Sequence, residues 1–468
     1  MKHKKKNSRR MRKKQQMLLQ KNKNIQCEVK EITPEWLSMS HIVVFNPILK
    51  DTMEVKTEYL NRLKRYIKIS GRDRRKYESS ALKAYERIIL ANENVGEKHD
   101  IEFYHHYILL DMLHILGYEI KDIPIEKIGS IRKEYCMEFS RLEEKTEFEK
   151  IINAVKENER KLIALSQDSS FSQEKNYIEL IRRNKAFKNK KPYKVMVTAT
   201  MSAGKSTFIN ALAGKYVCLS QNMACTSKIH HIINKSFEDG FAYEYDHDLV
   251  LTAGKEELLK DNELNHTDKI IEAVHFDGFL NNQRIIVNDS PGVNYSGNED
   301  HKKITDKLIS KKEYDLLVYI MNATQLATDD EASHLEFVKS VIGKKPIVFV
   351  LNKIDEFNIE EEDINQTIKG LTEYLKRKGF KNPIICPMSA KAGYLSKQTK
   401  KSVLSKVERR ELYNYVDKFE DMKLTDYYGK NYKKIQVDDT EKEEEQLLKT
   451  CGLAYVEKII VKLATGGK

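Results

Sequence analysis

The chain has 468 residues, of which 82 are Lys or Arg and 70 are Asp or Glu, giving a formal charge of +12, and its 40% hydrophobic content is ample for a buried core. At roughly 150 residues per domain this length predicts two or three folded units. No apolar run approaches the roughly 18 residues of a membrane-spanning helix. The six scattered cysteines contain no C-x-x-C pair, which argues against a disulfide framework or a zinc ribbon and for a reducing cytoplasm.

The positive charge is concentrated at the start. Residues 1–27 carry 11 Lys or Arg and no acid, leaving 71 basic against 70 acidic residues in the rest. Such a stretch repels itself and has little to bury, so residues 1–48 are predicted to be a disordered basic tail and a linker, the linker running from about Thr33 to Pro47. The tail is either a solubilising segment or one that adheres to an anionic membrane surface or to RNA. Met17, Leu18 and Leu19 supply its apolar weight, which is thin for insertion into a bilayer. With no apolar segment ahead of a small-residue cleavage site, the expected location is cytoplasmic, with any membrane contact peripheral.

Residues 49–188 read as an all-α helical bundle domain, because apolar residues recur at three- and four-residue spacings. Tyr59, Leu60, Leu63, Tyr66 and Ile67 mark one helix. Ala81, Leu82, Tyr85, Ile88 and Ile89 mark a second over about 73–92, and FYHHYILLDMLHIL forms a third before a break at Gly117. A long charged helical pattern follows from Glu126 to about Ser166, with Ile128, Ile131, Tyr135, Phe139, Leu142, Phe148, Ile151, Ile152 and Val155 as its buried positions. His105, His106 and His114 do not read as a metal site. His106 and His114 are two turns apart, farther than the i, i+4 pairing of zinc-protease helices, and their aromatic and aliphatic neighbours suggest packing.

The chemistry begins at 193, where YKVMVTATMSAGKSTFINAL predicts a strand, a turn and a helix around A-x4-G-K-S at 199–206. This is a phosphate-binding loop in which Ala199 replaces the usual first glycine. Backbone N–H groups of Ala203, Gly204 and the helix N-terminus, with Lys205, Ser206 and Thr207, can surround the phosphates of a nucleotide. Lys205 is expected at the β- and γ-phosphates and the Ser206 hydroxyl on Mg²⁺. IIVNDSPG at 285–292 adds Asp289, which can hold Mg²⁺ through water, and Gly292, whose amide can sense the γ-phosphate. KKPIVFVLNKIDEF supplies an N-K-x-D reader of guanine. The Asp355 carboxylate can accept from N1–H and the exocyclic amine, a donor pair that adenine lacks. Lys353 lies along the base, and Asn352 ties the segment to the phosphate loop. PIICPMSAK ends in Ser389, Ala390 and Lys391, with the Ala390 amide offered to guanine O6. In QNMACTSKIHHI, Thr226 is the candidate switch residue for Mg²⁺ and the γ-phosphate.

ATMSAGKSTFINAL, ACTSKI, DSPGVNYSGNEDHKKIT, ATQLATDDE, NKID and SAK together resemble a bacterial dynamin-like GTPase over roughly residues 190–395. The resemblance implies an α/β P-loop GTPase domain at 189–468, its mostly parallel sheet flanked by helices and preceded by the helical domain. It also implies Mg²⁺-dependent hydrolysis of GTP to GDP and nucleotide-dependent self-association. The closing stretch EEEQLLKTCGLAYVEKIIVKLA resembles the last helix of such a domain, which makes 396–440 a charged insertion. Long stalk helices after the domain, as in dynamins, do not fit in the 77 residues beyond Lys391. Met201 stands where dynamins carry a glutamine, whereas Ser202 matches the serine that follows it. Val293, after D-x-P-G, cannot orient water, so the resemblance points instead to paired G domains in which Ser202 helps hold a monovalent cation. A regulatory GTPase docking on the ribosome or other RNA through its tail is the alternative.

Overall fold

The computed structural model describes residues 34–73, 76–91, 99–139, 144–218, 229–245, 249–250, 269–290, 299–358, 363–399, 404–433, 435 and 443–466. The basic tail, Thr226, Gly292 and Val293 lie outside the described residues. The chain forms two compact units, one comprising Asn46–Lys161 and Asp168–Glu174, the other Pro34–Phe45, Leu162–Gln167 and Lys175–Lys468.

In the first unit the helix Met53–Ser70 starts at Thr52, whose hydroxyl accepts from Val55 N–H, and stops at Gly71, whose φ of +75° a side chain would resist. Tyr59, Leu60, Leu63, Tyr66 and Ile67 are all buried, as their spacing predicts. The helix His105–Ile115 is buried at every position from His106 onward, which explains why its sequence has no polar face. The pattern from Glu126 to Ser166 is three helices, Ile125–Glu138, Glu144–Lys156 and Glu159–Gln167. Phe139 leaves helical backbone angles and buries its ring, and Asn158 accepts from Lys161 N–H at the start of the third helix.

The second unit is built on a mixed nine-stranded sheet: β1 (Tyr193–Ala199), β2 (Ile229–Asn234), β3 (Tyr243–Tyr245), β4 (Leu249–Val250), β5 (Lys269–Val274), β6 (Ile285–Asp289), β7 (Leu316–Asn322), β8 (Ile347–Asn352) and β9 (Ile384–Pro387). The order is β4-β3-β5-β2-β6-β1-β7-β8-β9, with β6, β1, β7, β8 and β9 parallel and β2 antiparallel to β6. The continuous apolar runs of β1, β6, β7 and β8 are the signature of strands covered on both faces, and β6 and β7 are buried throughout. The helix Lys205–Ala213 packs against Ala390–Gln398, and Glu299–Lys311 against Asp329–Ile342. Lys397, itself buried, ion-pairs with Glu457 and donates to the Leu212 carbonyl, satisfying a carbonyl of the last turn of Lys205–Ala213.

Three expectations change. The segment Pro34–Phe45 is no linker, for Ser38, Ser40 and His41 are buried and His41 N–H donates to Asp239. The helix Lys175–Asn189 groups with the sheet rather than with the helical unit, because the Asn184 amide exchanges two hydrogen bonds with the Ser40 backbone. Finally, the single last helix is two, Glu443–Thr450 and Leu453–Ala464, divided at Gly452, where φ is +89° and a Cβ would run into the Pro387 carbonyl. The charged stretch before them is folded as Lys406–Met422 and Leu424–Asn431, with Leu412, Phe419, Leu424 and Tyr428 in the core. Among the described residues no helix is long and apolar enough to cross a membrane.

Candidate functional site

The site lies where parallel strands end. β1, β6, β8 and β9 terminate at Ala199, Asp289, Asn352 and Pro387, and their register sets Val197 beside Asp289. Ligands of open α/β sheets bind at such carboxyl ends, where loops can approach without obstructing the ladder. After β1 the chain turns through Ser202 and Gly204, both in left-handed backbone with φ of +62° and +86°, and enters the helix Lys205–Ala213. That turn presents N–H groups at a helix N-terminus, the arrangement that receives phosphate oxygens. Gly204 is required twice over, since a Cβ would collide with the Asn352 amide as well as resist the backbone angle. Ser202 and its neighbour Met201 are exposed at the rim, whereas Ala203 is buried.

Lys205 and Asp289 form a buried ion pair. The second carboxylate oxygen of Asp289 is buried with no hydrogen-bond partner among the described residues. Around it, burial and then the Asp289 charge push the Cys218 thiol's pKa up, and burial raises that of Glu272 despite its hydrogen bond with His230. An orphaned carboxylate oxygen beside a second acid, with the Ser206 hydroxyl at the helix start, is a hard oxygen donor set that fits Mg²⁺.

At the other end, Asn352 joins two loops. Its amide nitrogen donates to the Ala203 carbonyl and its oxygen accepts from the Ala390 N–H, each at 2.9 Å. The tie to the phosphate loop is the expected one, but the Ala390 amide, expected at guanine O6, is engaged by Asn352. Lys353 sits in left-handed backbone with its ammonium 2.9 Å from Glu356, and Lys391 lies 3.4 Å from Glu411. Ser389 caps the helix Ala390–Gln398. Burial raises the Asp355 carboxyl's pKa, opposed by a hydrogen bond from Ser389 and by the charge of Lys418.

Lys418 is the residue that motif reading misses. From the helix Lys406–Met422 its ammonium donates to the carbonyls of Asp355 and Phe357, at 2.6 and 2.7 Å, and so holds the turn that carries the Asp355 carboxylate. A lysine in a charged amphipathic segment carries no local signal of this, because its partners are backbone atoms some sixty residues away.

Fold and site together define a G domain, the nucleotide-binding domain of GTP-binding proteins. Residues 195–354 match the Dynamin family, and this segment is a G domain of the dynamin superfamily. An FZO-like protein of Arabidopsis thaliana, described as a chloroplastic transmembrane GTPase, is 22% identical over 275 residues, covering 58% of this chain and 26% of that protein. The GTPase Era of Borreliella afzelii (strain PKo) is 25% identical over 142 residues, covering 30% of this chain and 46% of Era. Among solved structures, an oligomerised bacterial dynamin pair aligns over 86% of this chain and 62% of its own, with 15% identity and a TM-score of 0.36. The chain thus spans about a quarter of the FZO-like protein and under half of Era.

Proposed function

We propose that the chain is a self-associating, dynamin-like GTPase that binds GTP and hydrolyses it to GDP and phosphate with Mg²⁺. The observation that carries this reading is Asn352, whose one amide links the phosphate loop at Ala203 to the S-A-K turn at Ala390 beside the half-buried Asp355. Phosphate and base recognition are thereby held in one rigid piece. In this reading Ala203, Gly204, Lys205, Ser206 and Thr207 hold the phosphates, Lys353, Asp355, Ser389 and Lys391 line the guanine, and Asn352 and Ala390 tie that side of the site to the phosphate loop. Ser206 and Asp289, with Thr226 when the switch is ordered, hold Mg²⁺. The ion supplies charge neutralisation at the β- and γ-phosphates. Lys205 places a cation against the same oxygens from the protein side.

Val293 cannot polarise water, so hydrolysis needs a group from elsewhere. The exposed Ser202, held in left-handed backbone at the rim, is where a second G domain and a monovalent cation would complete the site. GTP turnover per molecule is then expected to rise with protein concentration and to fall when Na⁺ and K⁺ are replaced by a bulky organic cation at equal ionic strength. Ser202→Ala lowers turnover more than GTP affinity, since the group acts in the transition state. Turnover that stays flat over a roughly hundredfold dilution and ignores the cation excludes pairing and favours a monomeric switch, the form that a GTPase docked on RNA through its tail would take.

A further inference from the structure

In the helical unit, away from any nucleotide motif, the helix His105–Ile115 opens on two consecutive histidines. Adjacent residues ordinarily diverge by about 100° around a helix, yet these two rings lie 3.8 Å apart centre to centre. What they share is Glu147 of the helix Glu144–Lys156. Its Oε2 is 3.1 Å from His106 Nε2 and 3.8 Å from His105 Nε2, and one donor atom from each of the three residues falls within 4.8 Å of the others.

The protons sharpen the case. His105 Nδ1 is 2.6 Å from the Glu102 carbonyl, which can only accept, so Nδ1 carries the hydrogen and Nε2 is left as a lone pair. His106 is flanked by a second carboxylate, with Nδ1 3.3 Å from Glu174, and both side chains are 3% exposed. His106 Nε2 is hydrogen-bonded to the Glu147 carboxylate, which can only accept, so that nitrogen carries the proton that a metal would displace. One imidazole lone pair, one N–H that a metal can displace and a carboxylate thus converge on a common point.

We propose that His105 Nε2, His106 Nε2 and Glu147 Oε2 form a three-ligand site for a divalent transition metal, Zn²⁺ foremost, with a fourth position open to water. Zinc bonds of 2.0–2.1 Å to nitrogen and oxygen place tetrahedral ligands about 3.3 Å apart, and the observed separations of 3.1 and 3.8 Å bracket that value. Two imidazoles with one carboxylate suit Zn²⁺ and disfavour Mg²⁺ and Ca²⁺, which prefer all-oxygen shells. The Glu102 carbonyl accepts from the remote nitrogen of His105, and the Glu174 carboxylate lies 3.3 Å from that of His106, ready to receive its proton when a metal takes Nε2, the orienting role that such partners play at metal-bound histidines. His105 and Glu147 are 20% and 16% exposed, giving the ion a way in. The metal clips the first turn of His105–Ile115 to Glu144–Lys156. His114, the other histidine of this helix, is outside the site, its Nδ1 lying 2.7 Å from the Tyr118 hydroxyl.

The test uses the full chain, stripped with a chelator and held in excess Mg²⁺ and GDP so that the oxygen site is filled. Zn²⁺ is titrated against a chromophoric chelator, and Co²⁺ is followed by visible absorption. One Zn²⁺ equivalent is expected to bind, Co²⁺ to give the intense spectrum of a four-coordinate N/O site, and the thermal midpoint to rise. His106→Asn or Glu147→Gln should weaken Zn²⁺ binding by roughly a hundredfold or more, and Glu174→Gln by about tenfold, as loss of an orienting partner does. His114→Asn should leave it unchanged. If the buried replacements fail to fold, His105→Asn, at the more exposed ligand, carries the same comparison. Absence of saturable binding overturns the proposal, as does binding equal in the wild type and in the ligand variants, which would mean an adventitious ion only.

Discussion

The phosphate end and the base end of the nucleotide site are built on different principles. At the phosphate end, the loop at 199–207 lies beside one neighbouring strand, with Asp289 brought beside Lys205 by the β1–β6 register. At the base end, Asp355 lies on a turn after β8 whose carbonyls are held by Lys418, from a helix outside every motif. A cradle made of backbone N–H groups needs only the turn that presents them. A side-chain carboxylate reading a base edge needs its turn held to within fractions of an ångström, and a distant residue can do this.

The largest expected effect is at the phosphate end. Lys205→Ala removes the buried cation that faces the phosphates and leaves Asp289 without its ion-pair partner. GTP and GDP affinity should fall by roughly a hundredfold or more, as loss of a charge-assisted contact predicts, with unchanged circular dichroism. Retained affinity, read by titration calorimetry, would break the assignment of the phosphate end.

Asp355→Asn comes next. It replaces an acceptor of two guanine donors by a group that also donates, and should cost tenfold or more in GTP affinity while leaving whatever ATP binding exists unchanged. Equal competition by ATP and GTP for a labelled guanine nucleotide in the wild type would remove the base end altogether.

Lys418→Met tests whether the inserted helix contributes to that end. It deletes the donors to the Asp355 and Phe357 carbonyls, and guanine-nucleotide affinity should fall about fivefold, near 1 kcal/mol. The Mg²⁺ dependence of binding should not move, because that belongs to the phosphate end. A parallel change in Mg²⁺ dependence would mean that the two ends are not separable.

The smallest effect is on pH. Burial holds the Asp355 pKa above the usual carboxylate value. In the free protein this group therefore favours the folded state most below its ordinary pKa, and the contribution is lost as pH rises through the raised one. Guanine recognition uses the ionised form, so the ratio of GTP to ATP affinity should fall as pH is lowered through the raised value. Triphosphate protonation affects both nucleotides alike and cancels in the ratio. Lys418→Met should start that fall at higher pH, because the lysine's charge lowers the Asp355 pKa. A ratio independent of pH would show that the carboxylate does not read the base.

Sequence alone determined the nucleotide-binding class of this protein. The motif spacings name Lys205, Asp289, Asn352 and Asp355, and backbone cradles and base readers are local enough for short motifs to encode them. It also marked the helices of the first unit wherever an apolar stripe faced one core, as at Tyr59, Leu63 and Tyr66. Contacts between distant segments were decided only by the tertiary structure. Asn184 bonding to the Ser40 backbone moved a helix and a supposed linker into the sheet unit, and the left-handed backbone at Gly452, beside a Pro387 carbonyl that leaves no room for a Cβ, split the last helix. Lys418 at the Asp355 turn and Glu147 beside His105 and His106 belong to the same class. Periodicity reports which face of an element is buried, but not which polar group waits there, because that partner is chosen by chain segments tens to hundreds of residues away.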